Sequence, residues 1–319
     1  MTSTLTRKRA LGLIATTTGL LAPAGVRAQA TRIRVSTLPT GDTYAFAFYA
    51  RDGGFFSKAG LNVDVLPVNE PSSIMAGVAG NSIDVGFVDP PLLANAYNRG
   101  LPLAYFAGGG LYSSEAPTTV LCTSPTTSLK TARDLHGKTV AVIVVASIGA
   151  AAIRAWLTAN GADPDQVKII EMPFTTMVTA VEKGDLAAAF LGEPYLTQAL
   201  QTNRIKVWAK PFDAIGPKFF INACFSTRGW ITSNPELAAK MSQALSEAAR
   251  WANSHHDDTA VILAKYGKVP VEVVSAMNRV RYADYDPKLI QPVLDTAIKY
   301  KLVAQAVTAA DLTLKVPGL

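Results

Sequence analysis

The sequence predicts an α/β fold of two similar lobes facing each other across a cleft, and three observations carry that expectation. One strand, helix, strand pattern is written twice, about a hundred residues apart, too far and too few times for a directly repeating solenoid. The first copy opens at Gly60-Leu61-Asn62-Val63-Asp64-Val65, runs through a helical stretch to Gly80 and closes on Ile83-Asp84-Val85-Gly86-Phe87-Val88-Asp89-Pro90-Pro91. The second opens at Val167-Lys168-Ile169-Ile170, passes a similar stretch to Gly184 and closes on Leu186-Ala187-Ala188-Ala189-Phe190-Leu191-Gly192-Glu193-Pro194. Both closings share an F-x-x-x-P ending with a carboxylate before proline. Secondly, each copy ends where a strand runs out into a polar turn and a helix start, the edge at which open α/β sheets place ligands. Thirdly, two extended segments, Thr118 to Thr123 and Phe219 to Thr227, bracket the second copy as crossovers between lobes would.

The N-terminus predicts export. Arg7-Lys8-Arg9 precedes an apolar run from Ala10 to Ala24, and Val26-Arg27-Ala28-Gln29-Ala30 offers small residues at a signal peptidase's spacing. The run is shorter and richer in Thr and Gly than a membrane anchor, which needs about 20 apolar residues. Thr6-Arg7-Lys8-Arg9 is also similar to a twin-arginine signal with Arg-Lys in place of Arg-Arg, which leaves the export route open. Residues 1–30 are therefore read as a signal peptide cleaved near residue 28 or 30, giving a periplasmic product. Removing Arg7, Lys8, Arg9 and Arg27 takes 30 basic residues to 26 against 24 acidic ones, so the formal charge falls from +6 to +2. Nucleic acid would call for a clustered basic face, and this balance argues against it.

Along the mature chain, Arg32 to Leu38 reads as a short strand ending in Pro39-Thr40-Gly41-Asp42-Thr43, after which Tyr44 to Arg51 can start a helix. Leu103 to Ala107 is an apolar run ending in Gly108-Gly109-Gly110. Thr139 to Val145, rich in β-branched residues, reads as a buried strand, and Ala146-Ser147-Ile148-Gly149 turns it into a helix from Ala150 to Asn160. Ser233-Asn234-Pro235-Glu236 has the form of a capping box with proline in the first turn, opening a helix to about Ser254 with Leu237, Met241, Leu245 and Trp251 on its apolar side. The last 60 residues read as further helices broken at Pro270, Pro287 and Pro292.

The expected organisation is a discontinuous first lobe, 31–119 with 226–319, and a second lobe, 124–219, each a mixed sheet flanked by helices. Crossovers at 120–123 and 220–225 would serve as the hinge. Cys122 and Cys224 fall in these crossovers. An oxidising compartment permits a disulfide, but neighbouring strands rarely give relaxed geometry for one, so two buried free thiols are the favoured expectation.

The turns Thr40-Gly41-Asp42-Thr43 and Ser147-Ile148-Gly149 occupy matched positions, each between a strand and a helix. They offer hydroxyls, backbone N–H groups and the positive end of a helix dipole to an anion. Ordinary N-capping uses the same residue types. Asp89 and Glu193, at corresponding strand ends, either accept hydrogen bonds from a ligand ammonium or ring N–H, or cap the helices that follow. Tyr44, Phe174 and Phe219 are the aromatics placed to line the cleft, with core packing as the alternative for each.

The ordered set Gly54-Phe55-Phe56, Gly60-Leu61-Asn62-Val63, Gly80-Asn81-Ser82-Ile83-Asp84-Val85-Gly86, Asp134-Leu135-His136-Gly137-Lys138-Thr139-Val140-Ala141, Gly184-Asp185-Leu186-Ala187-Ala188-Ala189 and Gly192-Glu193-Pro194 resembles the solute-binding proteins of the nitrate/sulfonate/taurine class of ABC importers. These are type II periplasmic binding proteins, related in fold to the fungal thiamine-pyrimidine synthases. The resemblance spans nearly the whole mature chain, is not specific to a ligand, and implies a monomer that captures a small solute between its lobes; the matched turns favour an anionic one, such as a sulfonate, nitrate, taurine or carboxylate. It implies delivery to a membrane permease driven by a separate ATPase, without cofactor, metal or catalysis. A pyrimidine-like or amine-bearing solute is the alternative within the class.

A synthase-like enzyme of pyrimidine metabolism is the alternative outside it. Such chemistry consumes a histidine and uses cysteine-rich metal-binding sequence, whereas this chain offers only His136, His255, His256 and two separated cysteines. Adjacent His255 and His256 would point apart on a helix. Ser147 lacks a G-x-S-x-G frame, and the glycines at 108–110 are not followed by a helix as a dinucleotide loop requires. N-terminal sequencing of fractionated cells is expected to find mature protein beginning near Gln29 or Thr31 outside the cytoplasm. A cytoplasmic product beginning at Met1 contradicts the export reading.

Overall fold

A computed structural model of the chain describes residues 1–2 and 31–316, so the export segment read between Arg7 and Ala30 lies outside the described residues. The strands, in chain order, are β1 (Arg32–Thr37), β2 (Asn62–Pro67), β3 (Val85–Val88), β4 (Leu103–Ala107), β5 (Gly109–Ser113), β6 (Thr119–Thr123), β7 (Thr139–Val142), β8 (Lys168–Glu171), β9 (Ala188–Gly192), β10 (Lys206–Ala209), β11 (Lys218–Phe220), β12 (Ala223–Thr227) and β13 (Arg281–Ala283). They form two five-stranded sheets, β2-β1-β3-β12-β4 and β10-β6-β9-β7-β8, and a three-stranded sheet, β11-β5-β13.

The duplicated pattern is a duplication of sheet topology. In the first sheet β1 pairs in parallel with β2 and β3, and β12 runs antiparallel to both β3 and β4. In the second, β7 pairs in parallel with β8 and β9, and β6 runs antiparallel to both β9 and β10. The strand β3 and its counterpart β9 are buried throughout, as strands covered on both faces must be. Helices Pro71–Ala79 and Phe174–Lys183 connect the equivalent strands β2 to β3 and β8 to β9. Each parallel pair needs such a crossover.

Residues 120–123 lie inside β6 of the second sheet, and 223–225 lie inside β12 of the first. The stretches that pass between the two large sheets therefore precede these strands, and they are joined by the small sheet, where Tyr112 pairs with Phe219 and Gly110 with Tyr282. Backbones approach so closely here that a Cβ on Gly109 would stand 2.3 Å from the Asn222 carbonyl oxygen, so only glycine fits. Cys122 and Cys224, in separate sheets, are buried free thiols.

Three local expectations are corrected by polar chemistry. The strand read to Val145 stops at Val142, because the Val144 carbonyl accepts bonds from the Ser147 hydroxyl at 2.6 Å and amide at 3.3 Å, forming a turn. Ser233 does not open a helix: Thr227 caps an earlier one, Arg228–Ser233, by accepting from Trp230 N at 3.0 Å, and helix Pro235–Ala252 begins without a side-chain cap. Its apolar side is nonetheless as read, with Met241 and Leu245 buried and Leu237 and Trp251 packed at the core margin. In the last 60 residues β13 interrupts the helices, and Pro292 sits within the first turn of helix Gln291–Lys299 instead of breaking it.

Candidate ligand cleft

The loop after β1 carries Thr40 to Tyr44 and is fixed from beneath. Gly41, at φ +98°, turns the chain into a single 3-10 turn, Asp42–Tyr44, ahead of the fully buried helical segment Phe46–Ala50. The Asp42 carboxylate is 1% exposed and is held by donors of the protein itself. It accepts from Arg279 Nε at 3.0 Å and a second guanidinium nitrogen at 3.1 Å, from Val280 N at 2.7 Å and from the Tyr49 hydroxyl at 2.7 Å. Removing either member of such a buried pair strands the other, at a cost of about 3–5 kcal/mol. The Tyr282 hydroxyl donates to the Asp42 carbonyl, and Asn222 Nδ2 donates to the Thr43 carbonyl at 3.1 Å.

The matched loop of the second sheet presents Ser147 as the N-cap of helix Ile148–Ala159, its hydroxyl oxygen accepting from Gly149 N at 3.3 Å. Helix geometry supplies no acceptor to the first-turn N–H groups of Ile148 and Ala150, so these remain for another partner.

At the equivalent ends of β3 and β9 stand Asp89 and Glu193. Asp89 caps helix Pro90–Asn98, its Oδ1 accepting from Leu92 N at 3.1 Å. Glu193 accepts from Thr197 N at 3.0 Å and from the Thr197 hydroxyl at 2.9 Å. Asp89 is thus both a helix cap and a cleft residue, while Glu193 binds the first turn of helix Tyr195–Gln201, whose N-cap is Pro194. Asp89 and Glu193 are 4% and 6% exposed, and burial pushes each carboxyl up to about 7 against the opposing pull of these N–H donors. Burial, with the Asp89 charge adding to it, also raises the Tyr44 hydroxyl above its ordinary value.

One cavity, about 780 Å³ including its open mouth, is lined by Thr40 to Tyr44, Asp89, Ser147 to Gly149, Phe174 and Glu193. Phe219 does not line it. That ring is fully buried, stacked on Tyr112 at 5.0 Å and edge-on to Phe212 at 5.4 Å. The lining also includes Pro71, Thr118, Thr119, Phe190 and Phe212, which were not singled out from the sequence. Phe190 was legible in principle as the phenylalanine of the second F-x-x-x-P ending; nothing local marked Thr118, Phe212 or the Asp42 partner Arg279. Among the described residues the lining contains no lysine, arginine or histidine. An outer hollow shares Thr40, Pro71 and Phe174 with the cavity and adds Glu70 and Glu171, again with no basic residue.

The raised Asp89 carboxyl makes a signed prediction. Folded Asp89 keeps its proton up to about pH 7, whereas the unfolded side chain releases it near the ordinary aspartate value of 3.8. Stability from the retained proton is fully present below that lower value and is lost as pH rises through 7. Asp89→Asn keeps an acceptor for Leu92 N, so its melting temperature is expected to match the native chain near pH 4 and exceed it by at least about 2 °C near pH 8. Thermal melts across that range check it; an advantage independent of pH contradicts the burial argument.

With this geometry established, comparison with known proteins gives a consistent picture. The taurine-binding periplasmic protein of Escherichia coli K12 is 25% identical over 223 residues, covering 62% of this chain and 67% of that protein. Among solved structures, the periplasmic aliphatic sulphonate binding protein SsuA of Escherichia coli superposes with a TM-score of 0.75 at 17% identity, covering 90% of this chain and 93% of that one. The periplasmic nitrate-binding protein NrtA of Synechocystis PCC 6803 gives 0.74 at 19% identity, covering 89% and 85%. The chain has the periplasmic binding protein fold of these structures, and these named relatives are binding proteins, not enzymes. The model of the NMT1/THI5-like family matches residues 43–259, and the chain belongs to that family.

Proposed function

We propose that the protein is the exported solute-binding component of an ABC-type importer, taking a small solute between two lobes and handing it to a membrane permease driven by a separate ATPase. The lobes are 31–119 with 226–319 and 124–219, and the mature protein works in the periplasm as a monomer without catalysis. The observation that carries this reading is the single cavity lined by matched strand-to-helix turns from two sheets of the same topology. Among the described residues no helix is long and apolar enough to cross a membrane.

The names of the relatives, which bind taurine, aliphatic sulphonates and nitrate, support a solute of sulfonate, nitrate or taurine type. The first-turn N–H groups of Ile148 and Ala150 would receive its oxyanion. A second reading, an amine-bearing or pyrimidine-like solute, is favoured by Asp89 and Glu193 in the same lining. Either solute requires closure by bending in the small sheet and the strands it feeds. Small-angle scattering of the mature chain with sulfonates, nitrate, carboxylates, amines and pyrimidines is expected to show a smaller radius of gyration with the solute that binds. A solute that raises the melting temperature without compaction contradicts closure.

A further inference from the structure

Resting on the solute-binding reading above, we infer that the solute carries a cationic, hydrogen-bond-donating nitrogen group, an ammonium or amidinium, which docks on Asp89 and Glu193. Oxyanions lacking such a group are rejected.

The charge inventory of the cavity points this way. Its charged lining residues are Asp42, Asp89 and Glu193. Asp42 is neutralised by Arg279 and saturated with donors behind the wall. Asp89 and Glu193 remain without a cationic partner among the described residues, so each holds a proton up to about pH 7, and a cationic ligand can take that proton's place where a bare anion cannot. Their acidity, held near 7 by burial, is that of carboxyls still lacking a counter-charge.

Unused hydrogen-bonding capacity is the independent observation. A carboxylate has about four acceptor positions, and among the described residues Asp89 is given one donor, Leu92 N on Oδ1, so it can accept further bonds from a ligand. Thr118, also in the lining and 3% exposed, has a hydroxyl with no hydrogen-bond partner. Buried polar groups are as a rule partnered in native proteins, so unpartnered ones at a ligand cavity mark where a ligand supplies the missing bond. The aromatic rings of Phe174, Phe190 and Phe212 offer flat apolar walls, whose faces also attract a cation.

The approach to the cavity has the same sign. Glu70 and Glu171 stand in the outer hollow with no basic side chain among its lining residues. A cleft lined by one sign of charge between low-dielectric walls focuses its field and concentrates ions of the opposite sign.

Matched solute pairs differing only in the amine test the inference: 2-aminoethanesulfonate against 2-hydroxyethanesulfonate, and benzylamine against benzyl alcohol, with nitrate as the bare oxyanion. Thermal shift of the mature chain at about 10 mM solute is followed by titration calorimetry. The expected result is a rise in melting temperature with at least one amine and none with its hydroxyl partner or nitrate. Asp89→Asn is expected to weaken that amine about tenfold to a hundredfold. Glu193→Gln provides the same reading should the first variant fold poorly. Equal or stronger stabilisation by a hydroxyl partner or nitrate overturns the inference while leaving the solute-binding reading intact. So does silence of both amines, or an affinity that both variants leave unchanged.

Discussion

The Asp42–Arg279 pair is the interaction on which the cleft depends. It reaches across 237 positions of sequence to tie the loop after the first strand to the segment before β13. Without it, a carboxylate would sit uncompensated at the start of a short helix, and the turn from Thr40 to Tyr44 would have no anchor beneath it. The neighbouring residues extend the clamp. Val280 N bonds the same carboxylate, while the Asn278 side chain donates to the Pro117 carbonyl at 2.9 Å and its backbone lies beside Glu193. One three-residue segment thereby holds loops on both sides of the cavity. Because this pair is buried and hydrogen-bonded throughout, it positions the wall while adding no net charge to it.

That neutrality separates three acidic residues of similar appearance into two roles. Asp42 is structural, and Asp89 and Glu193 line the cavity with no cationic partner among the described residues. Each of the latter accepts from the first turn of a helix that follows a central strand, so the same burial that fixes it in place raises its proton affinity. The duplication explains why there are two of them, since β3 and β9 end at equivalent points of equivalent sheets. It also explains why the first-turn N–H groups at Ile148 lie in the same cavity, opposite in polarity to the carboxylates. A solute with a positive nitrogen and a negative end would satisfy both, whereas a bare oxyanion satisfies one and opposes the other.

Much of the fold was legible because its large sheets are made of short, strongly apolar strands whose order is written twice. The small sheet was not legible. Its strand β13 is three residues long, and β5 begins with glycines whose role is close backbone approach, which leaves no periodic signal. The strand ending at Val142 and the helix starting after Thr227 show side-chain oxygens overriding a propensity and a motif that pointed elsewhere. In the cleft, the turn residues and the strand-end carboxylates were readable from their matched positions. The fate of Asp42 was not, since its partner lies far along the chain in a stretch with no motif. Phe219 was misplaced for a related reason: a strand alternates its faces, and which face turns toward Tyr112 is decided by pairing with β5.

The central claim is that the solute meets this protein through a nitrogen donor on Asp89 and Glu193. A crystal structure of the mature protein with the solute that it retains on purification from its own periplasm tests this most directly. The account predicts a ligand nitrogen within hydrogen-bond distance of Asp89 Oδ2 or the Glu193 carboxylate. A retained ligand without a nitrogen donor, seated on the Ile148 and Ala150 N–H groups while both carboxylates bond only their own helices, would contradict it.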